Sequence, residues 1–423
     1  MGRAADRLRG LARQTVRRFT AGTKSLLLTD PVEGGGDAGE RAAAEEQARS
    51  AGALKGGVAK VAQLMAYLEG PGGASDLDAR RALGVLWDQA PGVDPAAIRR
   101  VVEEDLGQPP DALFARWDDT PLAAASLGEV HAARAHDGAE LAVKVQYPGV
   151  AEALRSDLAS PRLVKKLAGA GLGGALAPDA IARLRDAVSA ELDYRAEGQW
   201  MTRFRRAFLG DPAIVVPRHL PALSGARVLS AERMTGQPLT AFAAAAPAAD
   251  RARVALTLFR FAWGGPLRHR LLNADPNPGN YLVLGDGRVA FLDYGCALEL
   301  DEELGELDRR IWRAILAQDG EALRHAVHTE GLLGRARTLD SSTYREWERY
   351  LAAPYLARGP FRWTRAYARR FAELTSLLVR AGGLTLPPAA LLLWRQRLGV
   401  SAVLGELMPE ADFAGALARL LAD

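Results

Sequence analysis

A chain of 423 residues with 48% hydrophobic content has material for two or three packed units, each with its own core. Its 54 Lys and Arg residues nearly balance 51 Asp and Glu, leaving a net charge of +3, so wholesale electrostatic binding of nucleic acid is not implied. The single cysteine, Cys296, excludes an intramolecular disulfide and any metal site built on cysteine clusters, and fits a chain of the cytoplasm.

Arg3, Arg7, Arg9, Arg13, Arg17, Arg18 and Lys24 make the N-terminus basic, without the apolar core of a signal peptide. Leu8, Leu11, Val16 and Phe19 add a modest apolar stripe. Residues 1–39 therefore read either as a solvated arm or as a surface helix attracted to anionic lipid, a peripheral membrane contact. Gly34-Gly35-Gly36 ends this arm, and a helical extension is expected over residues 40–118, punctuated by Pro91, Pro109 and Pro110.

Two strand-like segments follow, Ser126 to Arg134 and Glu140 to Gln146, around the turn His136-Asp137-Gly138. The second carries Ala142-Val143-Lys144-Val145, and a lysine on a buried strand is costly unless paired. Its natural task is to hold nucleotide phosphates, with a carboxylate from a following helix as partner. Ile181, Leu184, Val188 and Leu192 recur at helical spacing and predict that helix over Ile181 to Phe208, with Glu191, Asp193 and Glu197 inserted. Glu191 and Glu197 are six apart, about 240° around a continuous helix, so two separate partners are implied. On spacing alone these acids read rather as a solvated face.

The stretch Asn273-Ala274-Asp275-Pro276-Asn277-Pro278-Gly279-Asn280 is the most informative in the chain. Pro276, Pro278 and Gly279 make it an irregular turn that projects Asp275. Tyr281 to Leu284 and Arg288 to Leu292 then form a hairpin around Gly285-Asp286-Gly287, which brings Asn280 at its start next to Asp293 at its end. Phosphoryl transfer needs a divalent metal held by hard oxygens and a carboxylate that receives the acceptor proton. Asn280 and Asp293 supply metal oxygens, and Asp275 supplies the carboxylate.

Beyond the hairpin the sequence predicts helices to the end, including Asp301 to Leu316 and the apolar Pro387 to Leu407, interrupted by Arg395, Gln396 and Arg397. No apolar run approaches the ~20 residues that span a bilayer, so a chain without a transmembrane segment is expected.

Taken together, these motifs resemble the UbiB family of atypical kinases, the AarF-like proteins, from about Lys55 to Leu300. The family's K-x-G-Q signature matches Lys60-Val61-Ala62-Gln63, with alanine in the glycine position. Its alanine-rich nucleotide loop matches Ala123-Ala124-Ala125-Ser126, its phosphate-binding lysine Lys144, and its E-x-D element Glu191-Leu192-Asp193. Glu197 falls where the lysine-pairing glutamate is expected. Asp275 and Asn280 match the catalytic loop, and Asp293 the metal-binding aspartate of a D-F-G-like motif written here with Tyr294; Asn273 stands where many relatives carry His.

The resemblance implies an α+β, bilobal protein-kinase-like fold with an N-terminal helical extension and a helix-rich C-terminal lobe. A nucleotide lobe is expected over 119–238 and a helical catalytic lobe over 239–423. It implies binding of ATP or ADP with Mg2+, Asp275 as the catalytic aspartate, and pairing of Lys144 with Glu197. It also implies a regulatory set of Lys60, Gln63, Glu191 and Asp193, in which Lys60 reaches Glu191 and the K-x-G-Q helix covers the cleft. The alanine-rich loop and that helix are associated in the family with weak or absent protein phosphorylation. ATPase action or phosphorylation of something small is implied, in support of isoprenoid quinone or lipid metabolism. Partners are then adenine nucleotide, isoprenoid lipid or quinone-biosynthesis proteins, with no nucleic acid. A small-molecule phosphotransferase of the aminoglycoside or choline kinase type, and a nucleotide-binding scaffold for lipid-modifying enzymes, are the alternative readings.

Overall fold

In the computed structural model the described residues are 93–125, 127–152, 155, 192–329, 341–380 and 388–422. They open with helix α1 (Pro95–Leu106). It starts where the Asp94 side chain accepts a hydrogen bond from the Ala96 amide, and ends at Gly107, whose φ of 78° favours glycine. The short helix α2 (Pro110–Leu113) leads into three antiparallel strands, β1 (Arg116–Ala124), β2 (Gly128–Arg134) and β3 (Glu140–Gln146). Helix α3 (Tyr194–Ala207) and strand β4 (Ile214–Val215) come next, and strand β5 (Val228–Glu232) completes a sheet in the order β1-β2-β3-β5.

Side chains alternate across a strand, so β3 serves two faces. Leu141, Val143 and Val145 are buried in one cluster with Ile98, Val101 and Val102 of α1. Ala142, Lys144 and Gln146 therefore face the other side, where Gln146 Nε2 donates to the Leu192 carbonyl at 2.9 Å just ahead of α3. At its far end β2 presses so closely on β3 that a β-carbon on Gly128 would overlap the Val145 carbonyl.

The second lobe begins with strand β6 (Gly236–Pro238), helix α4 (Leu239–Ala245) and the long helix α5 (Ala248–His269). Strands β7 (Leu271–Asn273), β8 (Tyr281–Leu284), β9 (Val289–Phe291) and β10 (Ala297–Glu299) follow. They are succeeded by helices α6 (Glu302–Leu316), α7 (Gly320–Thr329) and α8 (Ser341–Leu356) and strand β11 (Phe361–Arg362). Helices α9 (Arg365–Arg380) and α10 (Pro388–Leu407), strand β12 (Glu410–Ala411) and helix α11 (Phe413–Ala422) close the chain. A second sheet has the order β4-β9-β8-β6, and β7 pairs with β10 in a separate ribbon. The larger core is centred on α5, whose Val254, Leu258, Phe259 and Ala262 are buried with residues of α10 and α11.

This is the two-lobed α+β arrangement expected from the sequence, an antiparallel sheet and α3 set on a helix-rich lobe. Several details differ. The expected helix from Ile181 to Phe208 is not continuous: Leu192 lies in a turn and Asp193 is extended, with φ −112° and ψ 98°. The Asp193 carboxylate accepts from the Arg195 amide at 3.0 Å and so starts α3 as its cap. Helical arithmetic between Glu191 and Glu197 therefore does not apply. Strand β1 runs across the expected boundary at residue 118, and β6, assigned to the first lobe, hydrogen-bonds to β8 of the second. Ala123 and Ala124, read as loop, pair with Val130 and Glu129 at the end of β1. The C-terminal part also holds the two-residue ribbon of β11 and β12 among its helices. No helix of the described residues is long and apolar enough to cross a membrane.

Candidate functional site

Lys144 leaves the cleft face of β3 and meets the first turn of α3. Its Nζ donates to both Glu197 oxygens, at 3.0 and 2.9 Å, and lies 3.4 Å from Asp293 Oδ2. Glu197 belongs to the buried stripe of α3, with Tyr194, Gly198, Met201 and Phe204, and its position in the first turn suits a carboxylate. Lys144 and Glu197 have side chains only 13% and 5% exposed, whereas Asp293 at 31% remains accessible. The Lys144 ammonium also lies 4.9 Å from the centroid of the Tyr194 ring.

Charge in this pocket is set by burial against pairing. Burial works against the Lys144 ammonium, but Asp293 and Glu197 outweigh it and hold the group well above its ordinary range. Burial raises the Glu197 carboxyl, and Lys144, with the amide of Tyr294, opposes that rise. The Tyr294 amide donates to Glu197 Oε1 at 3.4 Å, so the turn after β9 is tied to α3. The Tyr294 ring adds to this tie by packing on Phe204, with centroids 5.0 Å apart.

Opposite this pair, the turn after β7 displays Asp275. Asn277 shapes it: its side chain accepts from the Gly279 amide at 3.1 Å and its carbonyl from the Asn280 amide at 3.0 Å. Asn280 Nδ2 then donates to Asp275 Oδ2 at 2.8 Å, which leaves the side-chain oxygen Oδ1 of Asn280 for another partner. The hairpin closes as read from the sequence: Gly287 takes φ 83°, the Leu284 amide donates to the Arg288 carbonyl at 2.8 Å, and Tyr281 pairs with Phe291. One step further out, the Leu292 amide donates to the Asn280 carbonyl at 3.0 Å, which places Asp293 beside Asn280.

Asn273 and Arg395 are two positions that sequence reasoning missed. Asn273 Nδ2 donates to the Asp293 carbonyl at 2.8 Å, and its Oδ1 accepts from the Asp275 amide at 3.2 Å. One amide thus holds the two acidic turns together. Arg395, on α10, brings Nη2 to 4.0 Å from Asp275 Oδ1. The interruption of an apolar helix by Arg395, Gln396 and Arg397 was the available signal for a buried polar cluster there.

The structure therefore brings together Lys144, Glu197, Asp293, Asn280 and Asp275. Asp193 is engaged in capping its own helix, and Ala123 and Ala124 end β1, after which Ala125 leads the chain towards β2, its amide donating to the Gly128 carbonyl at 2.8 Å. Lys60, Gln63, Ser126, Glu191 and the basic arm from Arg3 to Lys24 lie outside the described residues.

The donor set suits a magnesium nucleotide. Asn280 and Asp293 offer hard oxygens, and three carboxylates (Glu197, Asp293, Asp275) face two cations (Lys144, Arg395), a negative surplus that favours a divalent ion. Among the described residues no cluster of three or more His, Cys, Asp or Glu forms a protein-only metal cage. Mg2+ is typically held in this way, by one or two protein groups together with substrate phosphates.

Comparison with known proteins agrees with this geometry. The protein Rv0647c of Mycobacterium tuberculosis, which is uncharacterized, is 31% identical over 283 residues, covering 64% of this chain and 57% of its own. The mitochondrial atypical kinase COQ8B of Rattus norvegicus is 29% identical over 288 residues, 67% of this chain and 54% of its own. The chain thus spans little more than half the length of these relatives. Among solved structures, the complex of Rv3197 with erythromycin from Mycobacterium tuberculosis matches with a TM-score of 0.64 and 27% identity, over 90% of this chain and 96% of that one. The model of the ABC1 atypical kinase-like domain matches residues 85–327, more than half of the chain. The chain belongs to the ABC1 atypical kinase family, with the kinase-like fold that its two lobes and facing acidic turns display.

Proposed function

We propose that this chain binds Mg·ATP between its lobes and either hydrolyses it or passes the γ-phosphoryl group to a small or lipid acceptor, in support of isoprenoid quinone or lipid metabolism. The observation that carries the reading is the Lys144 ammonium held between Glu197 and Asp293, opposite Asp275 hydrogen-bonded to Asn280. A lysine fixed at this height is suited to the nucleotide's phosphates, and Glu197 keeps it charged and aimed. When bound, magnesium would neutralise phosphate charge, held by Asn280 and Asp293. Asp275 orients the acceptor oxygen and receives its proton, while Asn273 fixes the distance between the two acidic turns.

The atypical-kinase relatives and the family match support the phosphotransferase or ATPase class. The quinone or lipid connection rests on the family alone. The test is Mg2+-dependent ATP hydrolysis with and without isoprenoid lipid in anionic vesicles, alongside calorimetric titration of ADP with and without Mg2+. Magnesium-dependent ADP binding and lipid-stimulated hydrolysis are expected, and no nucleotide binding at any Mg2+ concentration would defeat the reading.

A further inference from the structure

The turn that carries Asp275 has no cation of its own: Asp275-Pro276-Asn277-Pro278-Gly279-Asn280 contains neither Lys nor Arg. A phosphoryl group in transit spreads negative charge over three peripheral oxygens and is stabilised by cations placed against them. Lys144 is committed to Glu197 and Asp293 on the other side of the cleft. The cation beside Asp275 is Arg395, delivered from α10 in the far C-terminal part of the chain.

Its delivery is built into the packing. Four residues after Arg395, on the same face of α10, Gly399 lies so close to the turn that a β-carbon there would overlap the Pro276 ring. Arg397, two positions on and about 200° around the helix, turns the other way. It forms a bidentate pair with Asp308 of α6, both bonds 2.6 Å, and its guanidinium sits 4.7 Å from the Trp312 ring centroid. One arginine anchors α10 to the lobe while the other is aimed at the acidic turn.

The two oxygens of Asp275 are not equivalent. Oδ2 accepts the Asn280 amide, whereas Oδ1 is buried and accepts no hydrogen bond among the described residues. Arg395 faces this second oxygen at 4.0 Å, too far for a direct hydrogen bond, and its guanidinium is buried there as well. We propose that Arg395 is a catalytic residue, an arginine supplied in cis that donates to the phosphoryl group as it passes to the acceptor oxygen held at Asp275 Oδ1. In that step the acceptor oxygen forms a bond to the γ-phosphorus, and the bond from that phosphorus to the β–γ bridging oxygen breaks. The electron pair leaves on ADP, and the acceptor proton passes to Asp275 Oδ1. This assignment rests on the Mg·ATP reading above.

Calorimetry on the full chain separates this role from a structural one. Aluminium fluoride with Mg·ADP imitates the phosphoryl group in flight, and it should tighten binding to the parent protein by on the order of 100-fold or more. Arg395→Met should bind Mg·ADP as the parent does but lose most of the fluoride-dependent increment, with turnover falling by on the order of 10³-fold. Arg395→Lys keeps a charge without the planar fork and should regain only part of the increment; it also serves if the methionine variant fails to fold. A full increment in either folded variant overturns the proposal, as does a parent protein that binds Mg·ADP without any increment. A parent protein that does not bind Mg·ADP removes the underlying reading and this inference together, an outcome distinct from failure of Arg395 alone.

Discussion

Asn273 donates its side-chain amide to the Asp293 carbonyl at 2.8 Å while its amide oxygen accepts the Asp275 backbone N–H, so one residue spans the two turns that display the acidic groups. Its body is buried at the end of β7, which makes the span rigid. Asn273→Leu should leave both backbone groups without their partner and shift the turns apart. A displacement of about 1 Å at such a site costs on the order of 10²-fold in rate. Asn273→His should retain most of the turnover, because a neutral imidazole offers one donor and one acceptor. Equal turnover in the leucine variant and the parent would remove this role.

Lys144 and Glu197 form a buried pair whose members depend on each other. Lys144→Met or Glu197→Gln alone should each destabilise the protein by about 3–5 kcal/mol, since each leaves a buried charge unmatched. The double variant should lose much less than the sum, a coupling that urea denaturation of the four proteins measures. Additive losses would mean that the two side chains are solvated independently.

The strands and turns around this pair were legible in the sequence because each has a local cause. Gly138 and Gly287, both at positive φ, mark the hairpin turns, and alternation along Leu141, Val143 and Val145 marks the face of β3 opposite Lys144. The start of α3 was missed: Ile181, Leu184, Val188 and Leu192 fall on one side of a continuous helix and Tyr194, Met201 and Phe204 on the opposite side, a break of phase that marks a new helix, and the capping bond to the Arg195 amide shows where it begins. For Arg395 the interrupted apolar helix signalled a buried polar cluster but not what the arginine meets. Its meeting with Asp275 joins residues 120 positions apart and depends on α10 packing Gly399 against Pro276, a tertiary contact with no local signature.

Asp293→Asn tests the metal side of the site. The substitution removes the charge that faces both Lys144 and the cleft while leaving an oxygen in place. Magnesium-dependent affinity for ADP should fall by about 10–100-fold, the range seen when groups that tune a metal site are altered, with little change in binding measured in EDTA. Unchanged magnesium dependence in calorimetry would move the metal ligand elsewhere.

Tyr294 carries a liability at the centre of this region. Its ring is fully buried against Phe204, and its hydroxyl has no hydrogen-bond partner among the described residues. Burial accordingly pushes the phenol well above its ordinary range. Removing an unmatched buried hydroxyl while keeping the ring should be favourable, so Tyr294→Phe should stabilise the protein by about 1 kcal/mol and raise Tm without reducing turnover. A lower Tm would show that the hydroxyl is hydrogen-bonded.

Two histidines make the stability depend on mild acid. Burial lowers His219 below its ordinary value of 6.5, and burial together with Arg268 does the same for His269. The His219 ring lies against Gly198 in α3, one residue from Glu197, so its protonation bears on the helix that holds Lys144. A group that binds its proton less readily when folded contributes fully above the unfolded pKa, and that contribution is lost as pH falls from 6.5 towards the depressed value. Glu197, raised by burial, acts in the opposite sense. The readout is therefore the difference between parent and variant. From pH 7.5 to 5.5 the parent should lose more unfolding free energy than His219→Gln or His269→Gln, and parallel pH profiles would show that these rings are protonated equally well in the folded and unfolded chains.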